Sequence, residues 1–541
     1  MKKYVIGIDY GSLSARGVLT DVESGEIVEE AVCEYTHGII DTILPDGTKL
    51  QPGWVLQHPA DYIDALTVIL RSISSKVNVE QIIGIGLDCT ATTALPVTGE
   101  GVPLCFLKEF CSDPYAYLMM WKHHAASVYA ERMTLLAQKR NESFLALHGN
   151  TVNAERLLPR LLQIYEEAPQ VYQSAEYFVE ALDWLTWQMT GTLIRSSCAL
   201  GYKAFYQNGT FPNDEYLEEL SNGFSEVCKT KLRGRVLNPG QKAGLLSEEA
   251  AKKFGLKPGI PVAVGLIDAH ACIPAAGIAK DGVLLSIVGT STCHIVSSKT
   301  AVPVPGISGA VRDGVLPGSY WYEAGQSSVG DCFAWFADNC VTEDYTKEAR
   351  ERGISTQSLL TEKASALMPG KNQVLALDWW NGNRSILNNT DLSGMIIGLT
   401  LKTKPEEIYR ALIESTAFGM KEIILAFNEK EIPIQEIRVS GGIALKNPLA
   451  MQIYADVLNM PLTVIATTQG PALGSAILAA VAAGYYNSAE EAIYAMQSKI
   501  DKIYQPCPEN VKAYEKLFLT YHNLHEFFGK EHTEIMAGLR R

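Results

Sequence analysis

Short apolar runs alternate along the chain with longer amphipathic stretches. Apolar runs of strand length bounded by turn residues predict buried strands, and stretches with apolar residues three or four positions apart predict helices. The predicted strands are residues 4–9, 15–21, 27–35, 82–87, 260–264, 283–288, 293–297, 319–324, 437–440 and 462–466. The predicted helices are residues 59–75, 113–139, 155–167, 179–189, 328–338, 356–368, 405–428, 448–459 and 473–483. Such alternation in both halves predicts the α/β class.

Glycine and hydroxyl residues follow several of the predicted strands. The turns are Asp9-Tyr10-Gly11-Ser12, Gly289-Thr290-Ser291-Thr292 and Ser440-Gly441-Gly442. The similarity between residues 8–12 and 287–291 suggests two related halves, although a repeat this weak also arises by chance. A boundary near Gly277 divides the chain into predicted domains of residues 1–277 and 278–541.

The stretch of residues 265–294 joins two kinds of chemistry. Asp268 stands at the start of a segment of small apolar residues, and the turn at residues 289–292 lies between two predicted strands. The N–H and O–H groups of such a turn can face an anion. This suggests a base beside a nucleotide, and the alternative is a helix N-cap followed by an ordinary hairpin.

Charge and cysteine usage exclude several classes of function. A formal net charge of −14 argues against nonspecific binding to nucleic acid or to an anionic membrane. The 11 cysteines are odd in number and contain no C-x-x-C pair, so neither a disulfide framework nor a zinc site is indicated. Free thiols predict a reducing, cytoplasmic location. The longest apolar stretch, residues 473–486, is too short to span a bilayer.

Common nucleotide signatures are missing from the chain. It contains no G-x-x-x-x-G-K-[ST], and Gly84-Ile85-Gly86 has Cys89 where a dinucleotide fingerprint needs its third glycine. The three turns, Asp268 and the region of residues 394–414, taken in order, resemble the FGGY carbohydrate kinases. The resemblance implies two actin-like ATPase (ribonuclease H-like) domains with an interdomain active-site cleft. ATP would lie between two phosphate hairpins, with a Gly-Gly turn under the adenine.

Further segments resemble the L-ribulokinase subgroup of that family. They are residues 121–124, 195–198, 201–203, 268–271, 289–294, 322–326 and 377–384. The resemblance implies ATP-dependent phosphorylation of L-ribulose at its C5 hydroxyl, in L-arabinose catabolism. D-Ribulose or D-xylulose is the alternative substrate. Many family members have W-x-D-x-R where this chain has Trp121-Lys122-His123-His124-Ala125, so their sugar-contacting Asp and Arg cannot be transferred here.

The resemblance assigns roles to individual residues. Asp268 is the expected general base, and Asp9 is the expected Mg²⁺ ligand, directly or through water. Expected ATP and phosphate contacts are Gly11, Ser12, Ser14, Arg16, Gly289, Thr290, Ser291, Gly441, Gly442 and Asn447. Expected sugar contacts are Lys203, Glu323, Trp121 and Ala91. The resemblance also leads us to expect a homodimer.

Each of these roles has a structural alternative. Arg16 could be a surface strand residue, and Lys203 and Glu323 could belong to structural ion pairs. Trp121, Trp379 and Trp380 could be core residues or sugar platforms, whereas His123 and His124 are interpreted as structural. The helical spacing of His522, His525 and His532 predicts a solvated face. A non-catalytic sugar sensor and an ATPase that uses ATP for movement are the alternatives from other classes.

Overall fold

The computed structural model describes residues 2–371 and 373–539. Its strands are β1 (Tyr4–Tyr10), β2 (Ser14–Asp21), β3 (Ile27–Glu34), β4 (Leu56–Gln57), β5 (Ile82–Cys89), β6 (Ala94–Val97), β7 (Leu118–Met119), β8 (Tyr177–Glu180), β9 (Ile194–Ser196), β10 (Arg235–Leu237), β11 (Lys242–Leu245), β12 (Pro261–Ala263), β13 (Leu266–Ile267), β14 (Val283–Val288), β15 (Thr292–Ser298), β16 (Gly309–Arg312), β17 (Tyr320–Gln326), β18 (Leu375–Leu377), β19 (Met395–Ile397), β20 (Glu436–Ser440), β21 (Leu462–Ile465) and β22 (Ile500–Tyr504).

Helices cover much of the remaining chain. They are α1 (Pro59–Ser74), α2 (Ser127–Arg140), α3 (Ser143–Ala146), α4 (Leu157–Glu167), α5 (Pro169–Ser174), α6 (Ala181–Thr190), α7 (Ser197–Ala204), α8 (Asp214–Leu220), α9 (Val227–Thr230), α10 (Glu248–Phe254), α11 (Asp268–Ala275), α12 (Gly330–Asn339), α13 (Glu343–Glu351), α14 (Thr356–Ser365), α15 (Pro405–Glu429), α16 (Gly442–Lys446), α17 (Pro448–Leu458), α18 (Gly470–Ala482), α19 (Ala489–Met496), α20 (Pro508–Glu526) and α21 (Thr533–Ala537). None of the described helices is both long and apolar enough to cross a membrane.

Two large sheets organise the two halves of the chain. The order β3-β2-β1-β5-β12 in the first sheet matches β17-β15-β14-β20-β21 in the second. In each, an antiparallel hairpin is followed by a strand that runs parallel to the first one. This shared topology confirms that the halves are related, as the similar turns suggested. The mixed sheets with flanking helices also confirm the α/β class.

The helix α18 joins the two halves, because it packs against β1 and β5 of the first sheet. A side chain at Gly7 would come within 1.8 Å of the Ala472 carbonyl oxygen, and one at Gly86 within 2.2 Å of that of Ser475. Glycine at these strand positions therefore permits the close approach of helix to sheet. The division at Gly277 stays a prediction. Helix α18 lies on the C-terminal side of this division in the chain but packs against the sheet of the N-terminal half.

Several predicted boundaries were wrong. The helix predicted at residues 113–139 begins only at Ser127, because the apolar Leu118 and Met119 form β7 and pair with β4. Residues 194–204, outside the predicted strands and helices, form β9 and the buried helix α7. The predicted helix at 179–189 is preceded by β8, and the polar stretch 211–256 contains helices α8 to α10.

Candidate active site

Carboxylates gather at one end of the first sheet. Asp9 lies opposite Asp88 in the register of β1 and β5, and Ile267 of β13 pairs with Cys89, so Asp268 follows at the same edge. Parallel strands place their carboxyl ends at a common edge, where ligands bind in open α/β sheets. The edge therefore holds three carboxylates from three distant parts of the chain.

These carboxylates have perturbed affinities for protons. Burial, followed by the charge of Asp9, raises the pKa of Asp268 to about 7. Burial also raises the pKa values of Asp9 and Asp88, and the charge of Arg16 acts against this rise at Asp9. Because a cation would offset the cost of burying these charges, the edge is suited to a positively charged ligand.

Asp268 is the first residue of α11, and Ile267 occupies the N-cap position. The Oδ1 atom of Asp268 accepts a hydrogen bond from the backbone N–H of Ala269 at 2.7 Å. The alternative role of Asp268 as the helix N-cap is therefore wrong, because Ile267 holds that position and Asp268 contacts only the N–H of the next residue. That contact uses one carboxylate oxygen and is compatible with a base at the other.

The turn after β1 is held by side chains from other segments. The Gly11 N–H donates to the Ser14 carbonyl oxygen at 3.0 Å. Trp121 Nε1 donates to Ser12 Oγ at 3.2 Å, and Gln57 Nε2 donates to the Ser12 carbonyl oxygen at 2.9 Å. Gln57 is fully buried and was missed by the sequence reasoning. Arg16 lies exposed on β2, opposite Asp9.

The second turn rests against the start of α12. The Gly289 N–H donates to the Ser291 carbonyl oxygen at 2.9 Å, and the Gly330 N–H donates to the Gly289 carbonyl oxygen at 3.0 Å. The Val329 N–H donates to the Thr290 carbonyl oxygen at 2.8 Å. These contacts fix the backbone of the turn and join it to the loop after β17.

A cavity of about 990 Å³ opens beside this second turn. Gly289, Thr290, Gly442 and Asn447, all predicted ATP contacts, line it together. Ser291 and Gly441 lie next to these residues in the chain but are not part of the lining. The sequence reasoning missed the lining residues from α12 and α14, which include Asp331, Gln357, Ser358 and Thr361.

Local geometry explains two residues of the third turn. Gly441 has φ +99°, and a side chain there would lie 2.5 Å from the Val288 carbonyl oxygen, so glycine is required. Asn447 caps α17, because its Oδ1 accepts from the Ala450 N–H at 3.0 Å. The cavity wall is thus built from a strand end and two helix starts.

A second group of charged residues surrounds Glu323 of β17. Arg384 Nη2 donates to Glu323 Oε1 at 2.6 Å, and His270 Nε2 lies 3.6 Å from Glu323 Oε2. Burial would raise the pKa of Glu323, but Arg384 and the other cations around it lower the pKa to about 2. Glu323 therefore carries its charge at neutral pH. Arg384 was in a matched segment, but the sequence reasoning gave it no role.

Lys203 lies at the end of α7 and is only 6% exposed. Burial lowers its pKa, and the charge of Glu323 acts in the opposite direction. Within residues 2–371 and 373–539, Lys203 makes no ion pair within 4.0 Å, so the structural ion pair proposed as its alternative is not formed. Its ammonium group is placed to bind a polar ligand. Glu155 and Arg156, which add charge here, were also missed.

The aromatic candidates separate into two groups. Trp121 is half-buried beside the first turn, and Ala91 is partly buried in the apolar core between the halves. Trp379 is fully buried 5.5 Å from His525 and Trp380 packs 5.8 Å from Trp335, measured between ring centroids. Trp379 is therefore a core residue of the C-terminal half, and Trp380 is partly buried against that core.

The histidines are explained by local contacts. His123 is buried, and its Nδ1 accepts from the Val55 N–H at 3.3 Å. Burial lowers its pKa to about 3, which supports the structural interpretation. The solvated face predicted for the C-terminal histidines was wrong for His525, which is 1% exposed, while His522 Nδ1 lies 2.8 Å from Glu422 Oε1.

The acidic edge fits a magnesium ion that is also held by a substrate. No cluster of three or more metal-binding side chains converges anywhere in the described part of the chain. Mg²⁺ typically takes one or two protein carboxylates and completes its octahedron with waters and substrate phosphates. Asp9 and its neighbour Asp88 supply the oxygen donors that such an ion prefers.

Family models match both halves. The N-terminal domain model of the FGGY family of carbohydrate kinases matches residues 4–273, and the C-terminal domain model matches residues 284–483. The chain belongs to the FGGY family of carbohydrate kinases. It is therefore a kinase of small carbohydrates with the two-domain fold of that family.

Curated relatives of this FGGY kinase extend over the whole chain. A ribulokinase of Bacillus licheniformis is 47% identical over 537 residues, which is 98% of this chain and 97% of the relative. A ribulokinase of Shouchella clausii is 45% identical and covers 100% of this chain and 98% of its own length. One from Mycolicibacterium smegmatis is 42% identical over 99% of this chain and 96% of its own.

Solved structures share the fold of this FGGY kinase. A xylulose kinase from Rhodospirillum rubrum matches with a TM-score of 0.80 at 21% identity, covering 97% of this chain and 99% of that one. A glycerol kinase from Plasmodium falciparum, solved with ADP, matches with a TM-score of 0.78 at 17% identity, covering 97% and 98%. These likenesses show that the chain shares the fold of those kinases, which agrees with the two-domain fold expected from the sequence.

Proposed function

We propose that the protein transfers the γ-phosphoryl group of ATP to the C5 hydroxyl of L-ribulose, giving L-ribulose 5-phosphate in L-arabinose catabolism. The observation that carries the proposal is the whole-length similarity to relatives named ribulokinase, at up to 47% identity. It is supported by the position of Asp268 at the acidic edge and by the electrostatic influence of Lys203 and Glu323 on its carboxylate.

Asp268 is proposed as the general base. The charges of Asp9 and Glu323 raise its pKa and that of Lys203 lowers it, so both groups are near enough to influence its carboxylate. Phosphoryl transfer to an alcohol needs an oriented hydroxyl and a group that accepts its proton. With a pKa of about 7, Asp268 is ionised in a large fraction of molecules at neutral pH and binds the released proton well.

The nucleotide is proposed to occupy the cavity beside the second turn. Adenosine would contact Gly442 and Asn447, and the triphosphate would extend past Gly289 and Thr290 toward Gly11 and Ser12. Ser14, Ser291, Gly441 and Arg16 complete the proposed phosphate and nucleotide contacts. Mg²⁺, when bound, neutralises charge on the phosphates. Asp9 would hold that ion, directly or through water.

The sugar is proposed to bind between Lys203 and Glu323. A polyol is oriented by a few fixed charged partners, and these two side chains offer a donor and an acceptor. The Lys203 ammonium lacks an ion-pair partner within 4.0 Å in the described residues, and Glu323 is fixed by Arg384. Trp121 and Ala91 are proposed to complete the pocket on the side of the first turn.

A panel of ketopentoses tests the substrate. We expect kcat/KM to be highest for L-ribulose, lower for D-ribulose and D-xylulose, and ATP turnover without sugar to be negligible. A higher kcat/KM for D-ribulose or D-xylulose would show that the proposed substrate is wrong and would leave the proposed phosphoryl transfer unchanged. ATP turnover that is independent of every ketopentose would contradict a sugar kinase of this specificity.

We also propose that the enzyme is a cytoplasmic homodimer. Light scattering on the purified protein should give twice the chain mass of 59.2 kDa. A mass of one chain at assay concentration would contradict the dimer and leave the proposed reaction untouched.

A further inference from the structure

Asp88 is a buried carboxylate that the proposed reaction has not yet used. It is the next-to-last residue of β5 and is 0% exposed. It lies directly opposite Asp9 in the parallel pairing of β1 and β5. The charges nearest to it are those of Asp9 and Asp268, which are both negative. Among the described residues Asp88 forms no ion pair within 4.0 Å, although a buried carboxylate is usually paired with a cation.

One oxygen of Asp88 accepts a hydrogen bond from Ser475, and the other accepts from no donor. Ser475 Oγ on α18 donates to Asp88 Oδ2 at 2.6 Å. Asp88 Oδ1 is buried without a donor among the described residues, and the carboxyl group of Asp9 lies within hydrogen-bonding reach of the Asp88 carboxyl group. A buried acceptor without a donor is unfavourable, so such an atom often marks a ligand position.

Other buried aspartates of the chain are satisfied differently. Asp378 accepts from Tyr521 at Oδ1 (2.7 Å) and from Gln326 at Oδ2 (2.8 Å), so both of its oxygens are used. Asp183 also has one oxygen without a partner, but the charge of Arg195 acts to lower its pKa. Glu180 also raises the pKa of Asp183, so a nearby carboxylate is not peculiar to Asp88. Asp88 differs because its neighbouring carboxylate, Asp9, is its register partner on the adjoining strand, and no cation is among the main influences on its pKa.

We propose that Asp88 is a second carboxylate of the magnesium site, oriented by Ser475 and sharing the ion with Asp9. The inference rests on the proposed function, because that function brings the ion and the triphosphate to this edge. Two adjoining carboxylates without a cation repel each other, and an ion between them removes that repulsion. Since Ser475 lies in the segment matched by the C-terminal family model, the geometry of the site depends on both halves of the chain.

The test measures metal binding and does not depend on turnover. Asp88→Asn, Ser475→Ala and Asp9→Asn are compared with wild type by Mn²⁺ electron paramagnetic resonance in the presence of ADP. ADP affinity is measured by calorimetry with Mg²⁺ and with EDTA. Asp183→Asn is the matched control, because it changes a buried aspartate of the same half that lies away from the acidic edge.

We expect Asp88→Asn to weaken Mn²⁺ binding on the order of 100-fold, similar to Asp9→Asn. Ser475→Ala should weaken it about 10-fold, as expected for a partner that orients a metal ligand. ADP affinity in EDTA should stay at the wild-type value in each variant, and Asp183→Asn should bind Mn²⁺ normally.

Wild-type Mn²⁺ affinity in Asp88→Asn would overturn the proposal, because it would mean that the two carboxyl groups share a proton and need no metal. Ser475→Ala provides the test if Asp88→Asn does not fold, and unchanged metal affinity in that variant would also count against the proposal. If the variants show these losses of metal affinity but the wild-type protein phosphorylates no ketopentose, the proposed metal site stands and the proposed substrate is wrong.

Discussion

At the scale of single residues, the proposed base Asp268 is predicted to set the pH dependence of the reaction. Burial and Asp9 raise its pKa to about 7, and a general base must be ionised to act. We expect kcat/KM for L-ribulose at saturating Mg-ATP to fall about tenfold per pH unit below pH 7. A profile that stays flat down to pH 5 would contradict this role.

The same shift predicts a pH-dependent stability. Because the pKa of Asp268 in the folded protein lies above the ordinary value of 3.8, its contribution to the free energy of unfolding is fully present below pH 3.8 and is lost as pH rises through about 7. Asp268→Asn replaces the ionisable group with a neutral one, so the variant does not lose this stability. The variant should therefore gain stability relative to wild type between pH 5 and pH 8, measured by urea unfolding at each pH.

Arg384 is predicted to act on the sugar through Glu323. Arg384→Ala removes the partner of a buried carboxylate, which typically costs about 2–5 kcal/mol at such pairs. We expect L-ribulose affinity to fall by roughly 30-fold or more, with ADP affinity unchanged, in calorimetric titrations. The exposed Arg350→Ala serves as a control. Equal losses of sugar and ADP affinity would indicate general misfolding instead.

At the scale of elements, the turn after β1 depends on a buried polar chain. Tyr62 donates to Gln57 Oε1 at 2.9 Å, and Gln57 in turn donates to the Ser12 carbonyl oxygen. Gln57→Leu breaks both contacts at a fully buried site, where an unmade hydrogen bond costs about 1–3 kcal/mol. We expect the KM for ATP to rise by roughly 5- to 100-fold while L-ribulose affinity stays near wild type.

Gln163→Leu is the matched control for that variant. Gln163 is also buried in the N-terminal half, but it bonds to Glu167 and not to the turn. A KM for ATP that is unchanged in Gln57→Leu, or raised equally in both variants, would show that Gln57 does not position the turn.

Local patterns predicted the elements on which the site is built, and missed the contacts between them. The strands before Gly11 and Gly289 were identified because apolar runs end at glycine and hydroxyl residues. Gln57 and Arg384 left no local signal, because their partners lie 45 and 61 residues away in the chain. Asp88 had a weak signal, since it ends an apolar run as Asp9 does.

The error at residues 113–139 has a physical cause. Pro114 starts a short turn, and Leu118 and Met119 are buried by pairing with a strand more than sixty residues earlier. A tertiary contact of this kind overrides the helical spacing that follows it in sequence. The loop that carries Trp121 could therefore not be placed from the sequence alone.

At the scale of the whole molecule, the two halves are expected to close on their ligands. Contacts already join them, as Tyr486 donates to the Val22 carbonyl oxygen at 2.6 Å and Gln469 to Glu30 at 2.9 Å. Closure excludes water from the γ-phosphate. We expect L-ribulose to strengthen binding of a non-hydrolysable ATP analogue by about 5- to 150-fold in calorimetry. Fully independent binding of the two ligands would contradict closure.

Asp268 is proposed to serve phosphoryl transfer from ATP to C5 of L-ribulose. Phosphorus and carbon NMR of the product formed from L-ribulose and Mg-ATP, by wild type and by Asp268→Asn, tests this role. We expect L-ribulose 5-phosphate from wild type, and formation slowed about 10²–10⁴-fold in the variant, or about 3–5 kcal/mol of barrier. Phosphate at another carbon, or equal rates from both proteins, would contradict it.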